Sequence, residues 1–366
     1  MRLLSATLIL TLSAVACAAG AAPAPTQVDI TAGTLQLRAR LYKPDGNGPF
    51  PVVIALHGCG GLAGVVGLDR TSCLAGRLTG PLGGRPPAPP PTPEAPPPRK
   101  LPSLSLTFVG DINLGTLTLP DGVPPDDGRG LFDAARADLE ADLVIGNFEG
   151  VLGDSGTTYK CGAEGRRVPD PDSAVVRSPK RRREAPRLCY AFLTPTALAP
   201  RLAEAGFTHL NLANNHANDF GPEGRETTVR LLDTLGIRTF GPLGSIAVDT
   251  VRRGDSLATV GLVGFATYPH SYDLLDIARS ASVVDSVRPL VDLLVVTFHG
   301  GAEGAGALHV PEAAESLGRE PRGDLRVWAR AVIDAGADAV VGHGPHVLRG
   351  IEFYRGKPIA YSLGNF

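Results

Sequence analysis

Five apolar runs in this chain each deliver, at their C-terminal end, a side chain that can hold a metal ion or move a proton. Leu104 to Gly110 leads into Asp111, Leu143 to Gly146 into Asn147-Phe148-Glu149, and Phe207 to Ala213 into Asn214-Asn215-His216. Leu293 to Phe298 leads into His299, and Ala339 to Gly342 into His343, with His346 three residues further on. A single Asp or His in a loop is ordinarily a cap or a surface group; the joint occurrence at successive run ends points to a shared cup. Carboxylate and amide oxygen with imidazole nitrogen, and no thiolate, suit Mn, Fe or Zn better than a cysteine-rich structural zinc site. Two carboxylates, an amide oxygen and three imidazoles exceed one closed shell, so two divalent ions are expected. A pair of ions about 3.5–4 Å apart lowers the pKa of a bridging water and stabilises the oxyanion formed by its attack, which is hydrolytic chemistry.

The elements that must position these groups are legible in the periodicity. Between the runs lie helix candidates at Leu131 to Glu140, Ala197 to Ala205, Glu223 to Leu235 and Leu325 to Ala335. Strands apolar along their whole length and separated by amphipathic helices predict an α/β fold with a mainly parallel sheet covered on both faces. In such a sheet ligands bind outside the carboxyl ends of the strands, where all five groups are expected to sit. Gly350 to Tyr354 and Pro358 to Leu363, around Arg355-Gly356-Lys357, read as a hairpin.

Several blocks, in order, carry a family resemblance. They are Gly110-Asp111-Ile112-Asn113-Leu114-Gly115, Asn147-Phe148-Glu149, Leu212 to Gly221 around Asn214-Asn215-His216, His299-Gly300-Gly301-Ala302-Glu303, Gly342-His343-Gly344-Pro345-His346 and Tyr361 to Phe366. From about Leu104 onward the chain resembles the capsule-synthesis CapA family, the poly-γ-glutamate synthesis proteins, which are similar to calcineurin-like metallophosphoesterases. The resemblance implies a layered metallophosphatase-like domain. It implies Asp111, Glu149, Asn215, His299, His343 and His346 as metal ligands and His216, beside Asn215, as general acid or transition-state donor. Asn113 stands where ordinary metallophosphatases carry a ligand His, and Gly300-Gly301 where the family often has Trp. The implied partners are an anionic cell-surface polymer such as poly-γ-glutamate and membrane-bound capsule synthase subunits. His57, His209, His270 and His309 follow no such pattern and are read as structural.

The remainder sets the context. Among 366 residues, 35 basic against 37 acidic side chains give a formal charge of −2, which offers no global field for nucleic acid, so none is expected as a partner. Residues 1–22 have the layout of an export signal, a positive start, the apolar run Leu3 to Ala16 and then small residues. An exported protein follows, periplasmic, cell-surface or extracellular, either cleaved or lipid-anchored at Cys17. Residues 23–64, ending in His57-Gly58-Cys59-Gly60-Gly61, resemble a truncated opening of a dienelactone-hydrolase-type α/β-hydrolase, but no G-x-S-x-G or G-x-C-x-G elbow follows. Residues 65–102 form a Pro/Gly-rich linker, with nine prolines between Pro86 and Pro98, and 103–366 form the main domain. In an oxidising compartment Cys161 and Cys189 are expected to pair across an insert that contains Arg166, Arg167, Arg177, Lys180, Arg181, Arg182, Arg183 and Arg187. The insert is either a solvated charge run or a lip for an anionic polymer. Two functions stay open: a metal-dependent hydrolase, and a non-catalytic polymer-binding or assembly component.

Overall fold

Strands that are apolar on both faces need cover on both, and the chain supplies it by stacking two sheets face to face with helices outside. The computed structural model describes residues 26–32, 35–41, 104–160, 166–168 and 190–366. The first sheet comprises β1 (Thr26–Ala32), β2 (Leu35–Leu41), β3 (Leu104–Ile112), β4 (Leu143–Phe148), β5 (His209–Asn211) and β6 (Arg238–Phe240), in that spatial order. β1 and β2 are an antiparallel hairpin; from β2 to β6 every pairing is parallel. The second sheet contains β7 (Ala247–Arg253), β8 (Ser256–Ala266), β9 (Leu293–His299), β10 (Ala339–His343), β11 (Ile351–Tyr354) and β12 (Lys357–Ala360). Its order is β7-β8-β9-β10-β12-β11, with parallel pairings from β8 through β12 and antiparallel edges. The expected terminal hairpin is β11–β12.

The period of two along each strand divides its side chains between two cores. On β9, Leu293 and Val295 face the space between the sheets and meet Leu104, Leu106, Ile145, Val260 and Val341. Leu294, Val296 and Phe298 face outward, against α3 (Ile277–Val287) and α4 (Leu325–Asp334). The outer face of the first sheet is covered by α1 (Pro200–Ala205) and α2 (Gly221–Thr234) through Leu202, Ala205 and Leu232. The result is a helix, sheet, sheet, helix layering, the α/β class that the run pattern predicts. Trp328 of α4 anchors the second outer layer, lying edge-on to Phe265 and Phe298 at 5.3 and 5.4 Å while its indole N–H donates to Ser280 Oγ at 3.0 Å. Phe298 is the residue before His299, so this packing also fixes a strand end.

One expectation about helices is corrected. Leu131 to Glu140 is a series of turns with one 3-10 turn at Arg136–Leu139. Gly128 and Gly130 both take positive φ just before it, and a short segment recovers too few hydrogen bonds to offset helix nucleation. Its apolar residues are held by tertiary contact instead, Phe132 packing against Phe207 and Phe366 at 5.6 and 5.8 Å. Conversely, α3 is a helix that the run pattern does not single out. Its signals lie in Asp276, whose side chain accepts from the Arg279 amide as an N-cap, and in the buried spacing Ser280, Val283, Val284, Val287.

The C-terminal segment ties the two sheets together at the end where the candidate ligands lie. The Asp111 amide donates to the Gly364 carbonyl and the Phe366 amide to the Asp111 carbonyl, both at 2.8 Å. This approach requires glycine at position 110, because a Cβ there would lie 2.1 Å from the Gly364 carbonyl oxygen. Gly110→Ala is therefore expected to destabilise the protein by about 1–3 kcal/mol through overpacking. Urea unfolding of the variant against the parent checks this, and an unchanged midpoint would refute the close approach.

The proposed signal 1–22 with Cys17, the His57 to Gly61 turn, the proline-rich part of the linker, and Cys161 with Cys189 lie outside the described residues. Among those described, no helix is long and apolar enough to cross a membrane.

Candidate functional site

Asn147, at the centre of the site, is the residue from which the rest can be built. Its Oδ1 accepts hydrogen bonds from Asn211 Nδ2 at 2.9 Å and Asn214 Nδ2 at 3.1 Å, which fixes the orientation of the amide. Its Nδ2 must then be the donor toward Asp111 Oδ1 at 2.8 Å and His299 Nδ1 at 3.3 Å. One buried amide thus links the ends of β3, β4, β5 and β9 and orients a carboxylate and an imidazole. In the sequence it is only the residue before Phe148-Glu149, with nothing to mark it as a hub.

Around this pin the structure gathers Asp111, Glu149 and His346, whose ligand atoms all lie within 4.8 Å of one another. His346 Nδ1 lies 3.0 Å from Asp111 Oδ2 and 3.8 Å from Glu149 Oε2. It takes φ of +57°, a left-handed conformation that a non-glycine residue adopts at a cost and that the Gly344 turn and the Asn365 side chain hold in place. His299 Nδ1 is 3.3 Å from Glu149 Oε1. His343 is buried in the same region, but its Nε2 donates to the Val109 carbonyl at 3.1 Å, and its Nδ1 has no partner among the described residues. Asn215 and His216 line the same cavity, which has a volume of about 1280 Å³. All six proposed ligands thus occur at one end of the two sheets, with Asp111, Glu149 and His346 in the tight group and His299 against it. Asn113, in the position of an expected metallophosphatase ligand, instead donates to the Glu149 carbonyl at 3.2 Å and accepts from the Gly115 amide at 2.9 Å. It shapes the loop.

The charges are unevenly shared. Burial, and then the Asp111 charge beside it, push the Glu149 carboxyl well above its ordinary range. Asp111 is equally buried, but its hydrogen bond with His346 and the field of His299 and His343 outweigh desolvation and hold it low. Burial drives His299 well below the usual imidazole value. His346 rises to about 9, since the Asp111 hydrogen bond and the Glu149 charge overcome its own desolvation. His346 therefore carries a proton beside the charged Asp111 in the neutral range.

Unpartnered atoms test whether these residues suit a metal. Because Asn147 donates to His299 Nδ1, that nitrogen is an acceptor and cannot give a hydrogen to Glu149 Oε1 3.3 Å away, which has no hydrogen-bond partner among the described residues. Asn215 Oδ1, His299 Nε2 and His343 Nδ1 are likewise buried without partners among the described residues. Buried polar atoms are nearly always satisfied, so a cluster of orphaned oxygen and nitrogen atoms around two carboxylates is the surface a cation would complete. The donor set fits.

The cavity brings in groups that the strand-end pattern does not single out. Lys160, Asp219, Arg225, Tyr268, Glu303, Glu320 and Arg322 all line it. His270, read from sequence as structural, lines it too, with Nε2 donating to the Asn214 carbonyl at 3.0 Å. His209 lies away from the cavity, buried against Asp249 and Thr208 as a structural histidine.

Residues 175–366, more than half of the chain, match the family model described as bacterial capsule synthesis protein PGA_cap. The chain belongs to the PGA_cap family. Among relatives, "PGA biosynthesis protein CapA" of Bacillus subtilis is 30% identical over 279 residues, covering 72% of this chain and 63% of that protein. "Capsule biosynthesis protein CapA" of Bacillus anthracis is 33% identical over 180 residues, 44% of this chain and 40% of the relative. A "Probable polyglutamine synthesis accessory protein" of Mycobacterium tuberculosis is 31% identical over 196 residues, 46% of each. The chain thus spans less than two thirds of each of these PGA_cap relatives. The CapA resemblance read from the motifs is upheld by these likenesses; the hydrolase-like reading of residues 23–64 finds no support in them.

Proposed function

We propose that this PGA_cap protein is an exported, metal-dependent hydrolase acting in capsule or poly-γ-glutamate synthesis, on a γ-glutamyl amide or a related bond of an anionic cell-surface polymer. The observation that carries the reading is the convergence of Asp111, Glu149 and His346 within 4.8 Å, beside unpartnered Glu149 Oε1 and His343 Nδ1. Asp111, Glu149, Asn215, His299, His343 and His346 are the residues that would hold the metal, with two ions of Mn, Fe or Zn as the expected complement. When bound, divalent ions supply an activated water and a positive field for the developing oxyanion. The protein's own groups do the rest. Asn147 orients Asp111 and His299, His216 is placed to hold or deliver a proton at the cavity wall, and the open cavity admits a polymer segment. Membrane-bound synthase subunits are the proposed partners, and the signal-like residues 1–22 support export.

A second reading, a non-catalytic polymer-binding component, is favoured by one observation. Among the described residues the tight group offers three donors, from Asp111, Glu149 and His346, fewer than two metal ions require. Metal analysis of the purified protein with a hydrolysis screen on poly-γ-glutamate and a phosphodiester separates the two. Stoichiometric metal, and cleavage abolished by Glu149→Gln or His216→Ala, supports the enzyme. Polymer binding that persists in both variants without turnover supports the scaffold.

A further inference from the structure

A lysine outside the ligand set reaches into the site and holds its reactive histidine. Lys160 lies just beyond the hairpin strand Gly156–Thr158, whose partner strand is Arg166–Val168. Its ammonium donates to Asp219 Oδ1 at 2.6 Å and to the Asn215 carbonyl at 3.0 Å, and lies 3.2 Å from His216 Nδ1. The other carboxylate oxygen, Asp219 Oδ2, accepts from the Phe192 amide at 2.8 Å and lies 2.6 Å from His216 Nδ1. An ammonium has hydrogens only to give and a carboxylate only lone pairs to offer. At 2.6 Å from a carboxylate oxygen, closer than its 3.2 Å to the ammonium, His216 Nδ1 carries a hydrogen and donates it to Asp219, while Lys160 is satisfied by Asp219 and Asn215.

We propose that Lys160 is a positioning residue: with Asp219 it fixes His216 in the Nδ1–H tautomer, leaving Nε2 as the nitrogen available to substrate in the cavity. The rest of the surroundings agree. Phe192 stacks on the His216 ring with centroids 4.1 Å apart at 23°, preventing rotation. Asn214 Oδ1 accepts from the amides of His216 and Ala217 at 3.0 and 2.9 Å, setting the turn from within. Lys160 alone among these contacts comes from the segment just after the strand Gly156–Thr158, so that segment and the His216 turn are held together. Asp219 is buried with Lys160 as the donor to its Oδ1, so removing Lys160 leaves Oδ1 short of a donor and frees the carboxylate to turn away from His216.

This rests on the hydrolase reading for its consequence but not for its structural test. The full chain is labelled with ¹⁵N-histidine, and two-bond ¹⁵N–¹H correlations report the His216 tautomer with and without added Mn or Zn. The Nδ1–H form should dominate in the parent and give way to a mixture in Lys160→Met and Asp219→Asn. On whichever bond the parent cleaves, Lys160→Met should lower kcat about 10- to 100-fold, with KM and metal content unchanged. Lys160→Arg, which keeps the charge and the donors, should recover part of the loss. An Nε2–H tautomer in the parent overturns the proposal, as does a folded Lys160→Met chain that keeps both tautomer and kcat. If Lys160→Met does not fold, the proposal stands or falls on the tautomer in Asp219→Asn and Lys160→Arg. A parent without metal or turnover refutes the hydrolase reading, yet the tautomer still decides the role of Lys160.

Discussion

Asp111→Asn is expected to remove metal binding and with it any turnover, a loss of at least about 10³-fold, well beyond the 10- to 100-fold typical of outer-shell substitutions. Asp111 is the one carboxylate in the tight group whose surroundings keep it charged. Asn147 Nδ2 and the Gly344 amide donate to its two oxygens, at 2.8 and 3.1 Å, and His346 lies at 3.0 Å. The amide replacement keeps the volume but removes the charge, and it turns an Nδ2 donor toward either Asn147 Nδ2, the Gly344 amide or His346. It would also leave Glu149, whose carboxyl burial already pushes upward, as the remaining acid among the imidazoles. Metal content by elemental analysis and thermal unfolding with and without added Mn or Zn check this together. A variant that retains stoichiometric metal would show that Asp111 is not a ligand. A variant that is metal-free but unfolded would be resolved by Glu149→Gln, which removes a charge without disturbing the Gly344 amide.

The second large effect is on pH. Metal ligands must be deprotonated, so binding displaces whatever protons the site holds. His346, raised to about 9 by Asp111 and Glu149 against its own desolvation, carries a proton throughout the neutral range and must release it. Glu149, raised well above ordinary carboxyls by burial and the Asp111 charge, releases a second wherever its pKa exceeds the working pH. Asp111 is held low and His299 is already neutral, so neither adds a proton. The sign follows: apparent affinity rises with pH, by about tenfold per unit for each proton displaced, or roughly 100-fold at minimum between pH 6 and 8. It levels off above about 9, where His346 is deprotonated in the free protein. The metal-free protein should show the opposite trend from this residue. A folded pKa above the unfolded value contributes stability that is complete below the unfolded pKa and is lost as pH rises through about 9. Calorimetric titration with Mn or Zn in buffers of different ionisation enthalpy measures both the affinity and the protons released. Affinity that is flat between pH 6 and 8 would mean that His346 is not displaced, and so not a ligand.

Much of the architecture is written in the runs themselves. β3, β4, β9 and β10 begin where their apolar segments begin because a parallel strand buried on both faces is mostly apolar, and the change to Asp, Asn or His falls in the last residues of each strand. α2 and α4 are readable within a few residues for the same reason, their apolar stripe having a single sheet to face. The segment at Leu131 to Glu140 misleads because its apolar spacing satisfies a helix and a set of turns equally, and contacts with Phe207 and Phe366, far along the chain, decide between them. His270 and Lys160 are not legible as site residues. Neither ends a strand, and each reaches the cavity only because loops from different layers fold over the same edge.

By itself, then, the amino-acid sequence determined the layered α/β class, the family and the inventory of oxygen and nitrogen donors, since these depend on local periodicity and on residue type after each strand. Only the tertiary structure decided which donors share one point in space, which nitrogen of His299 faces Glu149, and that a lysine and an aspartate hold His216. Those relations depend on side-chain orientation across two sheets, where 3.0 Å between Asp111 and His346 separates residues 235 positions apart in the chain. A single buried amide, Asn147, settles several of them at once because its donors and acceptors can be satisfied in only one orientation.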